Sequence, residues 1–179
     1  MARYARGEAA AFEALYRRHE MRIWRYLHRN VGDRAAADDL MQDVWFAVAR
    51  EAPRYRPSAR FTTWLFTLAH NRMVDSFRTR RPHASLESMG YEAPPVVAQL
   101  TAEPNAGPYA AAVTRDQAAA LSRTLDALPR EQREAFLLQV EGDLSVEDVA
   151  RITGSSFETA KSRLRYARAK LRELLQEYA

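Results

Sequence analysis

Apolar side chains recur at three- and four-residue steps through most of the chain. Phe12, Leu15, Tyr16, His19, Ile23, Tyr26 and Leu27 follow that spacing, which predicts an amphipathic helix closed by a C-terminal cap at Gly32. A second helix is expected from Asp33 to Glu51, with Leu40, Met41, Val44, Ala47 and Val48 on one side and Asp39, Gln42, Asp43 and Arg50 on the other. Pro53 and Pro57 bracket an arginine-rich loop from Arg54 to Arg60, and a third helix follows from Phe61 to Arg80, burying Phe61, Trp64, Leu65 and Leu68. Trp64 lies on that apolar stripe and reads as core. No segment alternates apolar and polar positions long enough to predict a strand.

The pattern lapses between residues 82 and 113, which hold five of the eight prolines and no sustained periodicity. So long a stretch without structure is improbable inside one compact domain, so it reads as a linker. Its reach as a flexible coil is roughly 30 Å. Periodicity then resumes. Ala118, Leu121, Leu125 and Leu128 form one stripe, Pro129 suits a first helical turn, and Phe136, Leu137 and Val140 carry the next stripe to Gly142. The predicted fold is therefore all-α: two small helical domains, residues 1–81 and 114–179, joined by a proline-rich flexible linker, residues 82–113.

The end of the second domain is the most informative part. Ser145 followed by Asp148 resembles a capping box and opens a short helix carrying Val146, Val149, Ala150 and Ile152. Gly154 breaks it, and Ser155 or Ser156 caps a longer helix starting near Phe157. Two helices about a short glycine-containing turn make a helix-turn-helix. In the second of them Ala160, Leu164, Ala167, Leu171 and Leu174 form the buried line, so the opposite face presents Glu158, Lys161, Ser162, Arg165, Arg168 and Arg172. A helix entering the major groove reads bases with its N-terminal residues, which makes Lys161, Ser162 and Arg165 the candidates for base contact. Arg163 lies off that face and suits a phosphate. A solvated amphipathic helix ending a bundle would share the periodicity, and the helix-turn-helix beside it favours DNA.

Charge changes the picture through its layout. The 179 residues carry 27 basic and 23 acidic side chains, a net charge of only +4. Residues 1–81 hold +7, residues 82–127 hold −3, and residues 128–179 balance. Lys161, Arg163, Arg165, Arg168, Lys170 and Arg172 fall within twelve residues without an acid, and Arg72, Arg78, Arg80 and Arg81 form a second cluster. Two basic patches flanking an acidic stretch suit two contacts with one polyanion. Asp75, three residues from both Arg72 and Arg78, is expected to orient them within the helix. With no cysteine, the chain has no disulfide, thiolate metal site or thiol nucleophile. His19, His28, His70 and His83 show no paired metal spacing, and no nucleophile motif or phosphate-cradling glycine loop occurs, so an enzyme is disfavoured and no metal or cofactor is expected. His19 sits on an apolar stripe and reads as a satisfied core residue. No apolar run is long enough to insert in a membrane, and a soluble cytoplasmic protein is expected.

These residues resemble the extracytoplasmic-function (ECF) sigma factors of the bacterial sigma-70 family. The resemblance is carried by AFEALYRRH at 11–19, DDLMQDVW at 38–45, FTTWLFTLAHNRMVDSFRTRR at 61–81, LPREQREAFLL at 128–138 and LSVEDVARITGSSFETAKSRLRYARAKLREL at 144–174, in the family's order and spacing. It implies a subunit that binds core RNA polymerase, recognises the -10 and -35 promoter elements, and helps open DNA. On that resemblance Asp39, Gln42, Asp43 and Phe46 dock on the polymerase. Tyr55, Arg56, Ser58, Arg60, Asn71, Arg72, Arg78, Arg80 and Arg81 take the -10 strand, where an amide and aromatic or arginine planes suit an extruded base. Ser156, Glu158, Thr159, Lys161, Ser162, Arg163, Arg165 and Arg168 take the -35 element.

In relatives the linker threads the RNA channel of the polymerase, which the acids Glu87, Glu92 and Glu103 would suit. Departures are Glu158 where the family often has glycine and Ala160 where it has a branched aliphatic, so the -35 sequence does not transfer. Only seven residues follow Arg172, and with no cysteine switch control is expected from an anti-sigma factor. The competing reading is a helix-turn-helix regulator, or a sigma mimic that titrates an anti-sigma factor.

Overall fold

The computed structural model describes residues 1–80 and 119–176, with side chains at the C-terminal end followed as far as Glu173. The expected linker at 82–113, both expected domain boundaries and Arg81 lie outside those residues, as do the side chains of Arg80 and Leu174. All regular structure among the described residues is helical.

The first group comprises α1 (Ala2–Ala5), α2 (Ala9–Val31), α3 (Arg34–Glu51), a 3-10 turn (Ala52–Arg54) and α4 (Phe61–Arg80). Gly32 ends α2 with φ 76°, its N–H donating to the His28 carbonyl at 2.8 Å. That left-handed turn favours glycine because it lacks a Cβ. Asp33 then starts α3 by accepting the Ala36 N–H at 2.8 Å. The second group comprises α5 (119–126 as described), α6 (Arg130–Gly142), α7 (Val146–Ile152) and α8 (Phe157–Gln176).

The two groups share one apolar core. It runs from Ile23, Tyr26 and Leu27 on α2 and Leu65, Phe66 and Met73 on α4 to Leu137 and Leu138 on α6 and Leu164 on α8. Helix α6 lies on α2 and α4, and α7 lies on α4. Close approach at this joint is visible at Gly142, where an added Cβ would come within 2.7 Å of Leu144 Cγ and 3.4 Å of Phe66 Cδ2.

The joint corrects the reading of α6. Val140 was expected in the buried stripe, yet it is 53% exposed and Phe136 is only partly buried. Glu134 and Glu141, seven residues apart, point inward instead. They do so because α2 and α4 supply partners. Glu141 takes a three-bond fork from Arg25, with Nη2 at 2.8 Å and Nε at 3.0 Å from both carboxylate oxygens, and a longer bond from Arg29 Nη1 at 3.5 Å. Glu134 Oε1 accepts the buried Tyr26 hydroxyl at 3.1 Å and lies 2.6 Å from His70 Nδ1. Burial first, and Glu134 second, hold the Tyr26 phenol well above its ordinary value. The helix also runs through Gly142, so the residue that stops it is Asp143, left-handed with φ 51°.

Other expectations at helix ends need adjustment. Ser145 does cap α7, accepting the Asp148 N–H at 3.1 Å. The Asp148 carboxylate makes no return bond to complete a box. It pairs with Arg151 at 2.7 Å and accepts the Thr63 hydroxyl of α4 at 3.4 Å. His19 is buried, but its Nδ1 has no hydrogen-bond partner among the described residues, so it is not a satisfied core histidine. Burial, reinforced by Arg22 and Arg18, pushes its pKa below 6.5. Asp75 pairs with Arg78 at 3.7 Å, and among the described residues no ion pair joins it to Arg72. Trp64, Phe61 and Leu68 are partly buried, the centre of α4 being Leu65, Phe66, Ala69 and Met73.

Candidate nucleic-acid and polymerase interface

Three surfaces hold the described residues singled out from sequence. The first is on α3. Asp39, Gln42, Asp43 and Phe46 stand at steps of three, one and three, so they share a face, and all four are exposed. Phe46 is 65% exposed, unusual for a phenylalanine beside acids, and it borders a cleft of about 510 Å³. Tyr4, Phe12, Tyr16, Met41 and Trp45 line that cleft, with Asp38 and Gln42 also present. Tyr16 and Phe12 pack on Trp45 with ring centroids 4.9 and 5.7 Å away, which fixes the aromatic wall. The aromatic part of this surface was not picked out from sequence, where Phe12 and Tyr16 read simply as core.

The second surface is the loop from Tyr55 to Arg60 with the outer side of α4. Tyr55 is half-buried, its ring edge-on to Trp64 at 5.0 Å and to Phe61 at 6.3 Å, and burial raises its phenol above 10.0. Arg56, Ser58, Asn71 and Arg78 are exposed and Arg72 is partly so. Arg60 is engaged across the joint: Nη2 bonds the Asp143 carboxylate at 2.8 Å and Nη1 its carbonyl at 3.0 Å. The hydrogen bond to Arg60, then its charge, hold the Asp143 carboxyl below its ordinary range. Arg60 thus restrains the left-handed residue that ends α6.

The third surface is α8. Gly154, with φ 61°, makes the turn, and the Ser155 N–H closes α7 by donating to the Ala150 carbonyl at 2.9 Å. Ser156 is the cap of α8: its Oγ accepts the Thr159 N–H at 3.1 Å and lies 2.8 Å from the Thr159 hydroxyl. Ser156 and Thr159 are thereby tied to each other. Ala160, Leu164, Ala167 and Leu171 are buried, leaving Glu158, Lys161, Arg165 and Arg168 exposed and Ser162 and Arg163 partly so. Lys161 is held by Glu158 at 3.8 Å and stands 5.9 Å from the Phe157 ring centre. Arg168 bonds the Gln139 side chain of α6. Tyr166, 53% exposed and absent from the sequence-derived set, carries the Arg165 guanidinium over its ring.

No cluster of histidine, aspartate and glutamate among the described residues is arranged to hold a metal ion, and no described helix is long and apolar enough to cross a membrane.

Comparison with known proteins places both helical groups in one family. The model of Sigma-70 region 2 covers residues 15–83 and that of Sigma-70 region 4 covers residues 118–171. RNA polymerase sigma factor CarQ of Myxococcus xanthus is 34% identical over 180 residues, 99% of this chain and 96% of that protein. ECF RNA polymerase sigma factor SigM of Mycobacterium tuberculosis is 32% identical, across 98% of this chain and 82% of that protein. In fold, the chain is similar to the sigma factor RpoE solved in complex with the anti-sigma factor NepR from Bartonella quintana, with a TM-score of 0.73, 23% identity, and coverage of 93% and 97% of the two chains. The chain belongs to the sigma-70 family, in its ECF group of RNA polymerase sigma factors.

Proposed function

We propose that the chain is a non-catalytic specificity subunit that works in the cytoplasm, binding core RNA polymerase and directing it to promoters. The observation that carries this reading is α8, a capped helix that follows a tight glycine turn and projects a row of cations free of the core. In our reading Arg165, Lys161 and Ser162 face base edges of the -35 element, while Arg163 and Arg168 hold phosphates and Glu158, Ser156 and Thr159 frame the helix start. The exposed loop residues Arg56 and Ser58 take the -10 strand, with Asn71, Arg72 and Arg78 beside them and Arg80 and Arg81 following. The Tyr55 ring offers a stacking surface, and Arg60 joins them once it leaves Asp143. The face of Asp39, Gln42, Asp43 and Phe46 meets the polymerase, its acids and one exposed ring suiting a basic partner with an apolar notch.

Control is assigned to an anti-sigma factor. The cysteine-free chain has no thiol switch of its own. The packed joint between the two helical groups also gives such a partner one closed form to hold.

Reconstitution tests the reading. Purified chain added to core polymerase should start transcription from particular promoters, mapped first as new transcription starts after overexpression. Failure to bind core polymerase overturns it, and a titrating mimic would instead leave transcription unchanged after loss of Lys161, Ser162 and Arg165.

A further inference from the structure

The cations of α8 are held in different ways. Lys161 pairs with the Glu158 carboxylate at 3.8 Å and Lys170 with Glu173 at 3.0 Å, so each has part of its charge balanced in place. Arg165 has no carboxylate within ion-pair distance among the described residues. Its Nη2 donates to the Tyr166 hydroxyl at 3.2 Å, and its guanidinium carbon stands 4.9 Å from the centre of the Tyr166 ring. An aromatic ring and a hydroxyl orient a guanidinium without neutralising it.

Helix geometry puts this pair where a groove floor would lie. At about 100° per residue, the buried line of Ala160, Leu164, Ala167 and Leu171 has Ser162 and Ala169 diametrically opposite. Arg165 and Tyr166 fall about 50° to either side of that outward line. Tyr166 is therefore as central to the face as Arg165 is. An exposed tyrosine among arginines contributes nothing to the core, and Tyr166 makes no other side-chain hydrogen bond among the described residues.

From this geometry we infer that Arg165 and Tyr166 act as one reading head, with Tyr166 the positioning residue that orients the Arg165 fork toward a guanine in the -35 element. One Arg165 N–H goes to the tyrosine hydroxyl, and the others remain for the O6 and N7 acceptors that guanine presents in the major groove. This rests on the -35 reading above and sharpens it: Arg165 is the principal base reader, ahead of the carboxylate-paired Lys161, and a residue outside the expected set decides how well it discriminates.

The test uses the full chain with core polymerase and a duplex promoter library randomised across the -35 segment, with wild type, Arg165→Ala, Tyr166→Ala, Tyr166→Phe and the double alanine variant. Wild type is expected to select guanine at one position by roughly 5- to 150-fold, the span of a good bidentate contact. Arg165→Ala and Tyr166→Ala should each erode preference at that same position, the double variant should lose no more than Arg165→Ala, and Tyr166→Phe, which keeps the ring, should restore most of it. Unchanged selectivity at that position in Tyr166→Ala overturns the inference, and so does an equal loss of affinity for all sequences, which would mark a phosphate or structural role. A wild-type preference that survives Arg165→Ala also overturns it while leaving the -35 reading standing. A wild-type complex with no sequence preference across the segment overturns that reading and the inference with it.

Discussion

Helices α3 and α6 each carry two acids on one side, and they use them in opposite ways. Asp39 and Asp43 of α3 stand exposed beside Phe46, whereas Glu134 and Glu141 of α6 are buried against α2 and α4. Burying a carboxylate is costly unless cations and donors meet it. Arg25, Arg29, Tyr26 and His70 are in place to meet the α6 pair, and among the described residues no ion pair engages Asp39 or Asp43. Acids at helical spacing are therefore internal fasteners where neighbouring helices bring cations and donors to them, and stay on the surface where none do.

Breaking the inward pair should have the largest effect. Glu141→Ala strands Arg25 and the partly buried Arg29, and the expected loss is about 3 kcal/mol, discounted from the fully buried case because Arg25 is 34% exposed. Thermal unfolding should show a midpoint lower by several degrees, and small-angle scattering a larger radius of gyration. An unchanged radius would mean that apolar packing alone keeps the helical groups together.

Next in size is Gly142→Ala. Its Cβ would press on Leu144 Cγ, and overpacking of this kind costs about 1–3 kcal/mol. Denaturant titration should register that loss without a change in slope. A neutral result would show that Leu144 yields easily.

Acid should weaken the fold more gradually. The pKa of His19, depressed by burial, gives full stability above its ordinary value of 6.5, and that stability is lost as pH falls toward the folded value. His28 is depressed in the same direction, again chiefly by burial. The unfolding midpoint should fall as pH drops below about 6.5, less steeply in His19→Leu, which removes a ring nitrogen that has no partner among the described residues. Identical pH profiles for the two proteins would exclude His19 as a source.

The outward pair should give the smallest change in stability. Asp39→Asn with Asp43→Asn should move stability by less than about 0.5 kcal/mol, as exposed substitutions do, while weakening capture by core polymerase at least several-fold. Equal loss of both would mean that α3 needs these acids for its own folding.

Most helix ends were legible because a single local residue decides each of them. Gly32, Asp33, Ser145 and Gly154 act on backbone groups within a few residues, so spacing alone reveals them. The outward face of α8 was legible for the same reason, since Ala160, Leu164, Ala167 and Leu171 fix its opposite side. The inward turn of α6 was not. Glu141 meets Arg25 across 116 residues, and periodicity weighs apolar side chains only, which made Val140 look buried and gave no sign of Glu141. The aromatic cleft and Tyr166 were missed on similar grounds, because a ring counted as apolar gives no sign of whether solvent or a neighbour covers it.

The bond between Arg168 and Gln139 joins α8 to the back of α6, the helix whose other side carries Glu134 and Glu141. Helices α6 and α8 also pack extensively on each other, and Leu137, Leu138 and Leu164 of these helices lie in the shared core. A force that peels α6 from α2 would therefore carry α8 along as cargo, with its turn, cap and cationic row undistorted. Opening the molecule would then change where α8 is carried and leave its exposed face as it was, so the reach of that helix and the chemistry of its face can be altered by separate sets of substitutions.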